Sequence, residues 1–167
     1  MAKNVFSRKL SKAAVTLAAC IGMIGFLAPG ASADQGANVV VAQHRTTGRP
    51  RGVTAADASA ITCTLAIQNP HNSKHVSGTV NVVATWTCDA PVSSLSMAVA
   101  LYFEGAPVRR ATFRNAGQPS LQGNAAFPCA PGNWQGRAVG TVVFPPTYDP
   151  PSATLNVVSP VVPLGCP

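Results

Sequence analysis

The stretch HVSGTVNVVATWTCDAP, residues 75–91, alternates almost without a break. Val80, Val82, Ala84, Trp86 and Cys88 share one parity, and Thr79, Asn81, Thr85 and Thr87 share the other. Alternation with a period of two marks a strand that buries one face. The cysteine closes the apolar row, so it faces the same interior as Trp86.

The same texture recurs on both sides. Ile61, Cys63, Leu65 and Ile67 alternate with threonines and alanine to give a first strand, joined to the quoted one through the loop QNPHNSKH. Leu95, Met97, Val99, Leu101 and Phe103 form the inward row of a third, with Ser94, Ser96, Ala98, Ala100 and Tyr102 on its other face. Glu104-Gly105-Ala106-Pro107 turns the chain into a fourth, Val108 to Arg114, whose Ala111 and Phe113 face inward between arginines. After the turn Asn115–Pro119, a weaker fifth strand runs from Ser120 to Phe127 and ends at Cys129. A sixth runs from Trp134 to Phe144, with Trp134, Ala138, Val142 and Phe144 inward and Gln135, Arg137 and Thr141 facing water. The run PPTYDPP, residues 145–151, cannot continue a sheet, because proline donates no ladder hydrogen bond. A seventh strand, Ala153 to Ser159, leads to a Pro-rich terminus ending at Cys166. Seven short strands separated by turn chemistry, with no helical period, predict an all-β domain over residues 61–167. The expected architecture is an immunoglobulin-like β-sandwich of about seven antiparallel strands.

The N-terminal residues read differently. Lys3, Arg8, Lys9 and Lys12 form a basic region, Ala13 to Leu27 is an apolar run, and Ala31-Ser32-Ala33 is a small-x-small cleavage signal. Residues 1–33 are therefore expected to be a secretory signal peptide, with Asp34 the first mature residue. The apolar run is too short for a transmembrane helix. Leu17-Ala18-Ala19-Cys20 resembles a lipobox, whose use would anchor the chain through Cys20. The apolar run continues well past Cys20, however, where a lipoprotein would turn polar. Residues 34–60 are small, polar and Gly-rich around the apolar patch Val39–Ala42, and predict a flexible N-terminal tail with room for a short strand or helical turn.

Loss of the signal removes four of the twelve basic residues and none of the five acidic ones, so the net charge falls from +7 to +3. Arg45, Arg49 and Arg51 belong to the tail, so the folded part is nearly balanced. Gly48-Arg49-Pro50 echoes a minor-groove hook, but an exported chain meets no DNA, and nucleic acid is not an expected partner. Cys20 leaves as well, and Cys63, Cys88, Cys129 and Cys166 remain as an even set in a secreted chain, which reads as two disulfides. Three pairings are open to four cysteines. Strands one and two, joined by a short loop, pair antiparallel and bring residues whose numbers sum to about 150 opposite each other. Cys63 and Cys88 meet that condition on inward parities, and Cys129–Cys166 follows by elimination.

The order C…NPH-x-S-x-H…SGTVNVVATWTCDAPVSSL…AAFPC…W-x-G-x-A…FPPTYDPP…SP…C resembles a group of small secreted actinobacterial proteins, over roughly Cys63 to Cys166. The resemblance implies secretion, a compact β domain and the four cysteines. It implies no activity, and no functional residue is carried over from it.

Candidate chemistry is sparse. His71 and His75 are spaced for zinc only if they sit on a helix, and here they lie in a loop where local hydrogen bonds explain them. Hydrolysis by a Ser/His/acid triad or by paired carboxylates would have to draw on Asp89, Glu104 and Asp149, all at turns or strand ends. Arg109, Arg110 and Arg114 could form a cationic stripe for an anionic cell-wall polymer, though arginines also guard edge strands against aggregation. Trp86 and Trp134 belong to the inward parity and read as core. The Pro145–Pro151 loop reads as a stiff projection with Tyr148 at its apex, giving Pro146, Thr147, Tyr148 and Asp149 as candidate binding residues.

The sequence thus points to a secreted, extracellular, non-enzymatic binding or structural module. A protease inhibitor using the Pro145–Pro151 loop is the alternative, and a hydrolase the weaker reading. The expected partner is another protein or a cell-wall polymer; no catalytic residue, cofactor, metal or mature transmembrane segment is expected. The processing step is open to direct test. Mass spectrometry of culture supernatant should find a chain beginning at Asp34, and a lipid-modified Cys20 in the membrane fraction would overturn that reading.

Overall fold

The computed structural model describes residues 40–52 and 59–167. The expected signal segment, 1–33, and positions 34–39 and 53–58 of the expected tail lie outside the described residues. The strands are β1 (Val40–Pro50), β2 (Ile61–Gln68), β3 (His71–Asn72), β4 (Thr79–Cys88), β5 (Ser94–Phe103), β6 (Ala106–Ala116), β7 (Ser120–Pro128), β8 (Gly132–Val143), β9 (Tyr148–Asp149), β10 (Ser152–Val158) and β11 (Val162–Leu164). The seven strands expected from the alternation are β2, β4, β5, β6, β7, β8 and β10, each within about two residues of its predicted bounds. No helix among the described residues is long and apolar enough to cross a membrane.

The strands form two antiparallel sheets. In the first, β2 lies between β1 and β4, and β7 pairs with the other side of β4. In the second, β5 lies between β6 and β8, with β10 and β11 beyond β8. The expected two-sheet architecture is therefore present. β2 and β4 are neighbours in the first sheet, and the next long strand, β5, opens the second. The β5–β6 hairpin is closed by Glu104 and Gly105, whose φ angles of 47° and 79° match the sign a tight right-twisted hairpin requires.

The tail expectation needs correction at its centre. Val40–Pro50 is not a free segment but an eleven-residue strand paired with β2 from Val40↔Gln68 to Gly48↔Ile61. Gly48 is buried, with the Phe144 ring 2.7 Å from where its Cβ would stand, and Ala42 packs on the core. The strand touches the core only near its two ends and leaves Gln43, His44 and Arg45 in solvent between them. That is why no alternation announces it.

Both disulfides join the cysteines paired above. Cys63 and Cys88 face each other directly across β2 and β4, with Cα atoms 4.0 Å apart. Cys129–Cys166 ties the end of β7 to the C-terminus, beside the bond from Asn72 Nδ2 to the Gly165 carbonyl. In the chain-entropy account, closing loops of 25 and 37 residues is worth about 3–4 kcal/mol each.

The inward rows of the two sheets make one core around Trp86, Trp134 and Phe144. On β8 that row also includes Gly136 and Gly140, which the apolar pattern passes over. A Cβ at Gly140 would collide with the Trp86 indole, and one at Gly136 with Val82, so β8 is hollowed where β4 is bulky. Overpacking such a site costs about 1–3 kcal/mol. Gly140→Ala should therefore lower stability by that amount in urea denaturation, while Gly165→Ala, with open space around it, should not. Equal midpoints for the two variants would show that the sheets yield at Trp86.

Candidate functional site

The Pro-rich loop does not project. Tyr148 and Asp149 form β9, which pairs with Pro50 and Arg49 of β1. The Arg51 N–H donates to the Thr147 carbonyl at 2.7 Å, and the Tyr148 N–H donates to the Pro145 carbonyl at 2.9 Å. The Tyr148 ring is half-buried against the core, and its hydroxyl donates to the Ser59 carbonyl at 3.2 Å. Asp149 pairs with Arg51 at 3.6 Å. Prolines remove ladder donors, but the non-proline residues between them still bond and bury. Of the four nominated binding residues, Pro146, Thr147 and Asp149 are exposed, and the expected apex Tyr148 is an anchor that faces inward.

The titratable groups are dispersed. Asp89 accepts the Thr62 N–H at 3.0 Å, and Glu104 accepts the Asn133 N–H at 2.7 Å. With Asp149 held by Arg51, each carboxylate serves its own turn. His71 Nδ1 lies 2.9 Å from the Asn69 carbonyl, the local bond expected for this loop. His44 is an exposed residue of β1. Among the described residues no three His, Cys, Asp or Glu side chains gather as a metal site would require.

The arginines are rearranged by register. Arg109 lies opposite Leu101, and Arg110 opposite Ala100, so the two point to opposite faces of β6. The expected three-residue stripe is therefore split. Arg110 and Arg114 remain together on the outer face of the second sheet, and Arg137 of β8 joins them. One row across β8, β5 and β6 reads Arg137, Ala100, Arg110; another reads Thr141, Ser96, Arg114. Strand spacing places the Arg110 and Arg137 backbones about 10 Å apart, and Arg114 about 13 Å further along β6. Arg137 is held in place by stacking 4.5 Å above the Tyr102 ring and by bonds from Nε and Nη2 to Gln135 Oε1.

Between the arginine rows the floor is low, because β5 presents Ser94, Ser96, Ala98 and Ala100 outward there, with the larger Tyr102 beyond them under Arg137. Two shallow depressions of about 250 and 630 Å³ follow it, and Ser96 and Arg114 line both. Val139 and Val143 add exposed apolar surface on the β8 side. No carboxylate lies on β5, β6, β8 or β10, so among the described residues these strands offer the three guanidinium charges no neutralising partner. The sequence signalled Arg137 only as water-facing. Its place beside Arg110 depends on the pairing of β5 with both neighbours.

The chain matches no protein-family model, no curated protein and no solved structure. The surface chemistry is therefore the whole basis for a functional reading. For the loop, that chemistry predicts a structural outcome. Tyr148→Ala should lower the unfolding free energy by about 2 kcal/mol, the low end for truncating a core-packed large side chain. Tyr148→Phe should lose about 1 kcal/mol or less, the net worth of one hydrogen bond. Unchanged urea midpoints in both variants would return Tyr148 to the list of free binding residues.

Proposed function

We propose that the protein is a secreted, non-enzymatic binding module that holds an extended anionic ligand in the arginine-rimmed trough of its second sheet. One observation carries this reading: three arginines share a face that has no carboxylate and a floor of small side chains. An anion entering it meets unneutralised charge, with only exposed, easily moved water to displace. A polymer suits the wide spacing of the charges better than a compact ion, which could not reach all three at once. Secretion is supported by the signal-like N-terminus and the two disulfides. An anionic cell-wall polymer, the kind of ligand an arginine stripe would suit, has this extended form. The inhibitor alternative relied on a projecting loop, and the packing of Tyr148 removes its support.

An exposed ion pair is worth up to about 1 kcal/mol. Three pairs therefore amount to roughly one to two decades in Kd, and a single substitution is a weak test. Poly-glutamate and polyphosphate should both bind the wild type, with affinity falling as salt screens the contacts. The triple variant Arg110→Ala, Arg114→Ala, Arg137→Ala should weaken both at least tenfold. Replacing Arg45 and Arg109 instead should change little, since neither lies on this face. Equal binding by the triple variant, or affinity indifferent to salt, would refute the assignment.

A further inference from the structure

The outer face of the first sheet carries a third depression, of about 320 Å³, with a different chemistry. Gln68 of β2, His71 of β3, His75 of the turn that follows it, Asn81 of β4, and Gln122 and Asn124 of β7 surround it. The β4–β7 register places Asn124 opposite Val83 and Gln122 opposite Thr85, so both carboxamides stand on the outer face of one edge strand. Asn124 Nδ2 donates to Asn81 Oδ1 at 3.1 Å, which orients both groups. The pair keeps one carbonyl oxygen on Asn124 and one NH₂ on Asn81 for a ligand. His71 is oriented too: the Asn69 carbonyl can only accept, so Nδ1 donates to it and Nε2 is left for a ligand.

A second observation does not depend on the shape of the groove. Gln68 Oε1 is buried and has no hydrogen-bond partner among the described residues. Unpaired buried acceptors are costly, and most are paired in folded proteins. Turning this carboxamide outward to a ligand breaks no bond that the oxygen makes in the fold, and it relieves the unpaired group.

We infer that this groove is a binding site for a neutral saccharide, formed by the carboxamides of Gln68, Asn81, Gln122 and Asn124 together with His71. Each sugar hydroxyl is both donor and acceptor, and a carboxamide presents one of each in a plane, so adjacent hydroxyls can be met by a single side chain. An anionic ligand finds no arginine or lysine lining the groove, and an apolar one would strip water from several amides without replacing their bonds. A peptide strand would normally exploit a free sheet edge, whereas this groove lies on the sheet face. Its volume is at the low end of small-molecule pockets, which suits one or two sugar rings.

The test follows the side-chain amide resonances of Asn81, Gln122 and Asn124 in the intact mature protein. Cellobiose, maltose and chitobiose are titrated in turn, with a neutral alanine tripeptide as the competing class. At least one disaccharide should produce saturable shifts confined to these amides, with Kd below about 10 mM. The double variant Gln122→Ala, Asn124→Ala should weaken that binding at least fivefold while remaining folded, its melting temperature lowered only by the loss of the Asn124–Asn81 bond. The Arg110, Arg114, Arg137 variant should bind the sugar as the wild type does, so failure here and failure of the anionic trough are separate results. No saturable shift with any disaccharide would overturn the inference. So would shifts that persist in the double variant, or that appear only with the tripeptide.

Discussion

A tryptophan from one sheet sits where the other sheet has no side chain. Facing sheets in a sandwich lie about 10 Å apart, which leaves no room for an indole opposite another large group. Trp86 is fully buried, and Gly140 of β8 lies beneath it. The fit has a cost, because the indole Nε1 has no hydrogen-bond partner among the described residues. An unpaired buried donor costs about 1–3 kcal/mol. Burying 150–250 Å² of indole returns about 4–6 kcal/mol at 25 cal/mol per Å². Burial wins, and the glycines that permit it become as much a part of the core as the tryptophan.

Register follows from the same contact. A one-residue slip of β4 would turn Trp86 to solvent and bring Thr85 or Thr87 into the core. The Cys63–Cys88 bond joins directly opposed residues of β2 and β4, two positions from Trp86, and forbids that slip covalently. Outer-face side chains inherit their positions from this lock. Asn81 reaches Asn124 only because β4 is held in phase with its neighbours.

Features encoded by neighbouring residues were legible in the sequence. The alternation of residues 79–88 gives β4, and the summed numbers of opposed residues give the Cys63–Cys88 pair. Three features were not. β1 covers the core only near its ends, so QHRTT at its centre looks like tail. The four prolines around Tyr148 suggested stiffness and therefore projection, but stiffness does not fix direction; pairing with Arg49 and Pro50 turns the loop down. Adjacent arginines looked like a stripe, although consecutive strand residues must face opposite ways. The trough and the amide groove combine residues from three or more strands, and no local pattern could have brought Arg137 beside Arg110 or Gln68 beside Asn124.

The two outer faces differ because the inner faces leave them free to. Most of the large apolar side chains are spent on the shared core, so outward positions can carry chemistry at little cost to folding. The second sheet places its outer-face charge on β6 and β8 around an alanine and serine floor, while the first gathers uncharged amides across β2, β4 and β7. Lying back to back across one core, the faces can hold two unlike ligands without steric conflict. Coupling between them would need a second arrangement of the core that one ligand prefers. In this core the indole over Gly140 and the two disulfides resist such a rearrangement. Were both proposed ligands to bind, such a core would hold them at a fixed separation, each bound on its own terms.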